Sequence, residues 1–286
     1  MENLTPEKIK ELKIKANNIR ISIIEMLSEA GSGHTAGALG MADIFTFLYF
    51  HALKHDPKRP EWHLRDRLIL SNGHICSVLY ATMAHCGYFE VEELKTLRKL
   101  GSRLQGHPHR EFLPFLETSS GPLGEGLSQS VGMAIADKMG DDNKTIYCLT
   151  GDGELDEGQN WEAIMFAAKE KLNNLIVFVD RNNIQIDGNT EDIMPLENLP
   201  KKWESFNWNV IEIDGHNFRE IFEAISKAKL EKNKPSVIIS HTIPGCGVKE
   251  FENNYHWHGV PPNKEQAEKA IEELKILGDK IINTQQ

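Results

Sequence analysis

The chain has 286 residues and a formal net charge of −10, from 32 Lys plus Arg against 42 Asp plus Glu. A chain of this length buries roughly three quarters of its unfolded surface, enough for one large α/β domain or two small ones. The acidic balance, with basic residues grouped only on helix faces, argues against a nucleic-acid or anionic-membrane partner.

Cys76, Cys86, Cys148 and Cys246 form no C-x-x-C pair, so they read as reduced thiols of a cytoplasmic protein, with zinc not expected. The first residues, MENLTPEKIKELKIKAN, are charged and amphipathic. They lack the apolar run of a secretion signal, and no stretch further on is apolar for long enough to span a bilayer.

Thr5-Pro6-Glu7 supplies a cap, a first-turn proline and an acid ahead of Ile9, Leu12, Ile19, Ile23, Ile24 and Leu27. That pattern predicts a helix to about Ala30, stopped at Gly31. After the loop GSGHTAG a second helix is expected at about Leu39 to Phe50. RLILS (Arg67 to Ser71) reads as a buried strand whose tip carries Ser71, Asn72, Gly73 and His74. Helices follow at Ile75 to Cys86 and Val91 to Leu100. The stretch from Gly101 to Gly121 is irregular and long enough to suggest a functional loop.

GPLGEG (Gly121 to Gly126) opens a helix of small residues. Then come strand TIYCLT, a helix at about Gln159 to Lys171, strand NLIVFVD (Asn174 to Asp180), the loop RNNIQIDG and strand WNVIEI (Trp208 to Ile213). A helix from Phe218 to Leu230, strand PSVIISH (Pro235 to His241) and a helix from about Lys264 to Ile282 complete the pattern, ending in polar NTQQ. Strands alternating with helices predict an α/β fold, a mostly parallel sheet with helices on both faces. The expected organisation is a single domain over residues 1–286, with 264–286 as a C-terminal helical extension.

In such folds ligands bind beyond the carboxyl ends of the strands. One end reads GDGELDEGQNWEA, with Asp152, Glu154, Asp156 and Glu157 inside six positions. Carboxylates that close repel unless a cation intervenes. Asn182 follows Asp152 by 30 positions, room for one crossover helix and one strand, so adjacent strand tips can present a carboxylate and an amide oxygen together. A backbone carbonyl just past Asn182 adds a third oxygen, a set that suits magnesium carrying a diphosphate. The glycines flanking Asp152, and the free N–H groups of a helix start, are expected to help hold the phosphates.

This arrangement resembles the thiamine-diphosphate motif, and GSGHTAGALGMADI, LSNGH, QGHP, SSGPLGEGLSQSVGMA, DRNNIQIDG and WHG fall in the order of the N-terminal half of transketolase. The resemblance implies the family's diphosphate-binding (PP) fold and thiamine diphosphate as cofactor, held through Mg2+, with Ca2+ or Mn2+ able to substitute. It makes Asp152, Asn182 and the carbonyl of Ile184 the metal ligands and puts Gly121, Leu123, Gly151 and Gly153 along the cofactor. Glu157 resembles the glutamate that links paired active sites. Glu154 and Asp156 are expected to look outward and cap the next helix.

Of twelve histidines, four border a glycine within a family motif. By resemblance His34, His74, His107 and His258 surround the reactive carbon, contact sugar hydroxyls and move protons, and His74 and His258 also touch the cofactor. His256 competes with His258 in NYHWHG. Thr35 stands where the family commonly has proline, and Arg181 where a second acid is common; the latter change is expected to leave the metal ligands intact.

No second βαβ run follows residue 264. The resemblance therefore implies the N-terminal subunit of a split transketolase of carbohydrate metabolism, acting on sugar phosphates with a separate C-terminal, pyrimidine-binding subunit in an α2β2 assembly. Alternatives are the same half of a deoxyxylulose-phosphate synthase-like enzyme or of a transketolase for a sulfo- or branched sugar, and a binding or regulatory subunit without catalysis. A Rossmann dehydrogenase is disfavoured because no G-x-G-x-x-G follows the strand.

Overall fold

The computed structural model describes residues 2–140 and 142–283. The last three residues of the NTQQ tail lie outside the described residues. Five strands form one parallel sheet: β1 (Arg67–Leu70), β2 (Ile146–Gly151), β3 (Leu175–Arg181), and, beyond a two-stranded hairpin of β4 (Ile184–Gln185) and β5 (Gly188–Asn189), β6 (Asn209–Asp214) and β7 (Ser236–His241). The spatial order is β1-β2-β3-β7-β6. Each tip predicted to carry chemistry therefore lies on the same edge of the sheet.

The centre of the sheet, β2, β3 and β7, is buried on both faces because these strands are apolar at successive positions, whereas the edge strand β6 is only partly covered. Along β2 and β3, Tyr147, Leu149, Ile176 and Phe178 face one core, packed with the helix Pro6–Ala30 through Ile19, Ile23 and Leu27. Ile146, Cys148, Val177 and Val179 face the other, packed against Val131 and Ala134 of the helix Glu125–Gly140 and Ile164 of the helix Gly158–Lys169. Burying each such aliphatic side chain contributes roughly 1.5–3 kcal/mol.

The first helix starts and stops where the sequence indicates. The Thr5 hydroxyl accepts from Lys8 N–H at 3.2 Å, and Gly31 takes the left-handed conformation at φ 62°. The C-terminal helix Lys264–Asn283 lies along it, with Asn17 Nδ2 donating to the Leu274 carbonyl at 2.9 Å.

Other expectations fail locally. The helix placed at 39–50 is broken into Ala36–Gly40, Ala42–Phe47 and a wider π turn at Leu48–Ala52. Gly40 sits against the loop after β7, where a Cβ would come within 3.0 Å of the Ile243 carbonyl oxygen. The helix expected at 91–100 is only a 3-10 segment, Val91–Thr96, ended by the positive φ of Arg98. The loop after β3 folds into the β4-β5 hairpin.

Candidate functional site

The tips of β1, β2 and β3 border a cleft of ≈ 350 Å³. Asp152 and Asn182 both line it, with Gly151, Gly153 and Ile184 from the same two tips. Gly121 and Leu123 contribute from the loop before the helix Glu125–Gly140, and His34, His74, His107 and His258 from four separate segments.

Backbone pairing brings the two tips together: Gly151 lies opposite Asp180, and Asp152 N–H donates to the Asp180 carbonyl at 3.2 Å. The Asp152 carboxylate is 1% exposed. Its Oδ2 accepts from Asn183 N–H at 2.8 Å and from Arg181 Nη1 at 2.9 Å, while Oδ1 accepts from Gly153 N–H at 2.8 Å. Burial pushes this carboxyl up, and Arg181 opposes the shift. The arginine is itself held by Glu191 at 2.6 Å and Glu197 at 2.9 Å. Arg181 thus holds Asp152 through Oδ2, a partnership that sequence reasoning did not anticipate.

Asn182 is oriented in a comparable way. Its Nδ2 donates to Asp180 Oδ2 at 2.8 Å and its Oδ1 accepts from Ile184 N–H at 3.0 Å. Asp180, fully buried and hydrogen-bonded by the Thr242 hydroxyl, is raised to about 7, chiefly by burial and further by the nearby Asp152 charge.

The histidines form a cluster. Ring centroids are 4.9 Å apart for His34 and His74, 5.2 Å for His74 and His258, and 5.7 Å for His34 and His258. Burial lowers all four: His34 to about 4, with help from His258, Arg98 and His107; His74 well below 6.5, with help from its neighbours; His107 and His258 more modestly. In each case the cleft favours the neutral ring. His256 points elsewhere, exposed and against Tyr255 at 4.1 Å between ring centroids.

Three buried polar atoms of cleft residues have no hydrogen-bond partner: His34 Nδ1, Asn72 Oδ1 and Gln185 Nε2. Unpaired buried polar atoms are costly, and their convergence on one cavity marks it as a place built for a polar ligand. Gln185 and Ile186 were missed from sequence, although Asp187-Gly188 after the alternating IQI is a hairpin signal.

Two expectations need correction. Glu154 does not look outward; it is 3% exposed and accepts from Ser71 Oγ, from Gly124 N–H at 2.7 Å and from Gly151 N–H at 3.0 Å. Those two amides are therefore turned inward instead of standing free for an anion. Asp156 is exposed as expected but caps nothing: the next helix has Glu157 at its N-cap, with no side-chain cap bond. Glu157 is exposed and outside the cleft lining.

Among the described residues one other group could offer three metal-ligand atoms: Asp43, His216 and Cys246. It is already satisfied internally. Arg20 holds Asp43 at 2.6 Å and 3.2 Å, His216 Nδ1 donates to Asp43 at 2.7 Å, and His216 Nε2 accepts from Ile243 N–H at 2.8 Å. A guanidinium against the carboxylate opposes a cation there.

Fold and cleft together define an α/β protein with a polar cleft at the carboxyl edge of its sheet, lined by a carboxylate-amide pair and an imidazole cluster. Residues 12–280 match the family model described as transketolase, thiamine diphosphate binding domain. The chain belongs to that family.

It is 43% identical over 268 residues to the 6-deoxy-6-sulfo-D-fructose transketolase subunit SqwG of Clostridium sp. (strain MSTE9), covering 94% of this chain and 98% of that relative. It is 38% identical over 273 residues to an apulose-4-phosphate transketolase subunit of Phocaeicola vulgatus, covering 96% and 97%. The crystal structure of Campylobacter jejuni transketolase superposes with a TM-score of 0.87 at 38% identity, over 96% of this chain and 43% of that one. The chain thus spans under half of this transketolase and nearly the whole of the two subunit relatives. No described helix is long and apolar enough to cross a membrane.

Proposed function

We propose that the chain is the diphosphate-binding subunit of a split transketolase, joined by a separate pyrimidine-binding subunit in an assembly of two copies of each. In this reading it passes a two-carbon ketol unit from a ketose phosphate to an aldose phosphate in the cytoplasm. The supporting observation is the cleft itself, where Asp152, Asn182 and three unpartnered polar atoms converge.

The residues fit a metal-bound diphosphate. Asp152 Oδ1 and Asn182 Oδ1 each accept one backbone N–H, and an oxygen acceptor has two lone pairs, so each keeps one for a cation. With the Ile184 carbonyl they make the few-ligand oxygen set that magnesium takes when phosphates complete its shell, and calcium or manganese suits the same oxygens. Thiamine diphosphate supplies the electron sink for carbon–carbon cleavage. Gly121, Leu123, Gly151 and Gly153 would flank it, and His74 and His258 would lie against it.

His34 and His107 face the sugar. Neutral rings suit that task, since each can accept a proton at one nitrogen while donating from the other. His34 Nδ1, lacking a protein partner, is the atom assigned to a substrate hydroxyl. Glu157, exposed at a helix start, would pair with a second copy.

The relatives named for sulfofructose and apulose phosphate favour a second choice of substrate, an unusual ketose in place of a pentulose phosphate. The test is an assay of the chain alone and with a co-purified partner of about 300 residues, a typical size for the missing half, using magnesium, thiamine diphosphate, xylulose 5-phosphate and ribose 5-phosphate. The pair should turn over and the single chain should not. Turnover by the single chain defeats the two-subunit reading. Parallel assays with 6-deoxy-6-sulfofructose and apulose 4-phosphate decide the donor.

A further inference from the structure

Glu154 is a carboxylate in the wall of a cleft proposed to take a diphosphate, where an uncompensated negative charge would repel the ligand. Its surroundings resolve the conflict. Oε1 accepts from the Ser71 hydroxyl and from Gly124 N–H at 2.7 Å, and Oε2 accepts from Gly151 N–H at 3.0 Å. Ser71 Oγ in turn accepts from Gly126 N–H at 3.1 Å.

One side chain therefore gathers the tip of β1, the tip of β2 and the loop carrying Gly121 and Leu123. The turn bearing it is pinned from behind, with Asn160 Nδ2 donating to the Glu154 carbonyl at 2.6 Å and Trp161 Nε1 to the Leu155 carbonyl at 2.8 Å. The approach is close enough to exclude a side chain at one contact: a Cβ on Gly126 would lie 2.6 Å from Ser71 Cα.

We infer that Glu154 is a positioning residue for the phosphate end of the cleft, a buried anionic clamp that sets the spacing between the Gly121–Gly126 loop and the metal-side tip at Asp152. This rests on the diphosphate reading above. With its lone pairs directed at inward-turned donors, the charge is spent inside the protein, and phosphate recognition falls to the metal, Asn72 and Gln185. Glutamine at this position keeps the size but turns one oxygen into a donor. That donor must face either Gly151 N–H or the Ser71 and Gly124 pair, so one side of the clamp opens.

The experiment compares wild type, Glu154→Gln and Ser71→Ala as the full chain, by residue-resolved amide exchange and by titration with thiamine diphosphate in magnesium. Glu154→Gln should speed exchange at Gly124 and Gly151 while Asn183, on the other side of Asp152, keeps its protection. It should also weaken cofactor binding about tenfold or more, the usual effect of losing a hydrogen bond to a charged group. Ser71→Ala should loosen Gly126 selectively and weaken binding less.

Unchanged exchange and affinity in Glu154→Gln overturn the inference, as does a uniform rise in exchange that includes Asn183, the mark of a merely structural role. Failure of the wild-type chain to respond to the cofactor counts against the diphosphate reading, and the exchange pattern then decides the clamp separately.

Discussion

Replacing His34 by glutamine tests whether the cleft holds its imidazoles neutral. His34 falls from 6.5 to about 4, first because of burial and then because of His258, Arg98 and His107. Between those two values the unfolded chain binds more protons at this ring than the folded one, so its contribution to stability is fully present above about pH 6.5 and is lost as pH falls toward 4. At about 1.36 kcal/mol per pH unit, the span sets an upper bound near 3 kcal/mol. The ring is half-buried, and solvent screening brings the expectation to about 1–2 kcal/mol. Raised carboxyls such as Asp180 act with the opposite sign over the same range, so the wild-type curve alone does not isolate the ring. The difference between wild type and His34→Gln does. Urea unfolding from pH 7.5 to 4.5 should show the glutamine variant gaining on wild type steadily below pH 6.5. A difference that stays constant with pH refutes the reasoning.

Asp43→Asn should cost about 3–5 kcal/mol in urea unfolding, because Arg20, 5% exposed, loses its charged partner inside the protein. Burial alone would raise Asp43, yet Arg20 and His216 together outweigh it and hold the carboxyl at about 2. The pair's contribution is thus present above about pH 4 and lost as pH falls through 2. Arg181→Met should destabilise by about 3 kcal/mol for the same reason, less whatever protonation of Asp152 recovers, and proteolysis should speed up near Glu191 and Glu197. Gly126→Ala should cost about 1–3 kcal/mol in thermal unfolding, since its Cβ would meet Ser71 at 2.5 Å; an unchanged midpoint would mean that the two loops part freely.

The parallel sheet was legible because β2, β3 and β7 are apolar at consecutive positions, which only a strand buried on both faces requires. The tips were legible too, since glycine and short polar residues end those runs. Asp152, Asn182 and the four histidines converge on one cavity although they come from six separate segments, and sequence order alone does not bring such segments together. What sequence could not give was direction. Glu154 lies in a cluster of acids that reads as a solvated helix start, yet a 3-10 turn at Gly153–Asp156 rotates it inward onto three donors. Arg181 read as a neutral departure from the family pattern, and only the fold shows it bonded to Asp152. The break of the helix at 36–52 falls where Gly40 meets the Ile243 loop, more than 200 residues away in sequence.

The most direct measurement is equilibrium binding of thiamine diphosphate to the wild-type chain and to Asp152→Ala, with and without magnesium, each checked for intact folding by circular dichroism. Wild type should bind only when the metal is present, and the alanine variant should lose at least about 100-fold in affinity. Binding that ignores magnesium, or an alanine variant that binds as tightly as wild type, would contradict the assignment of these strand tips to a metal-held diphosphate.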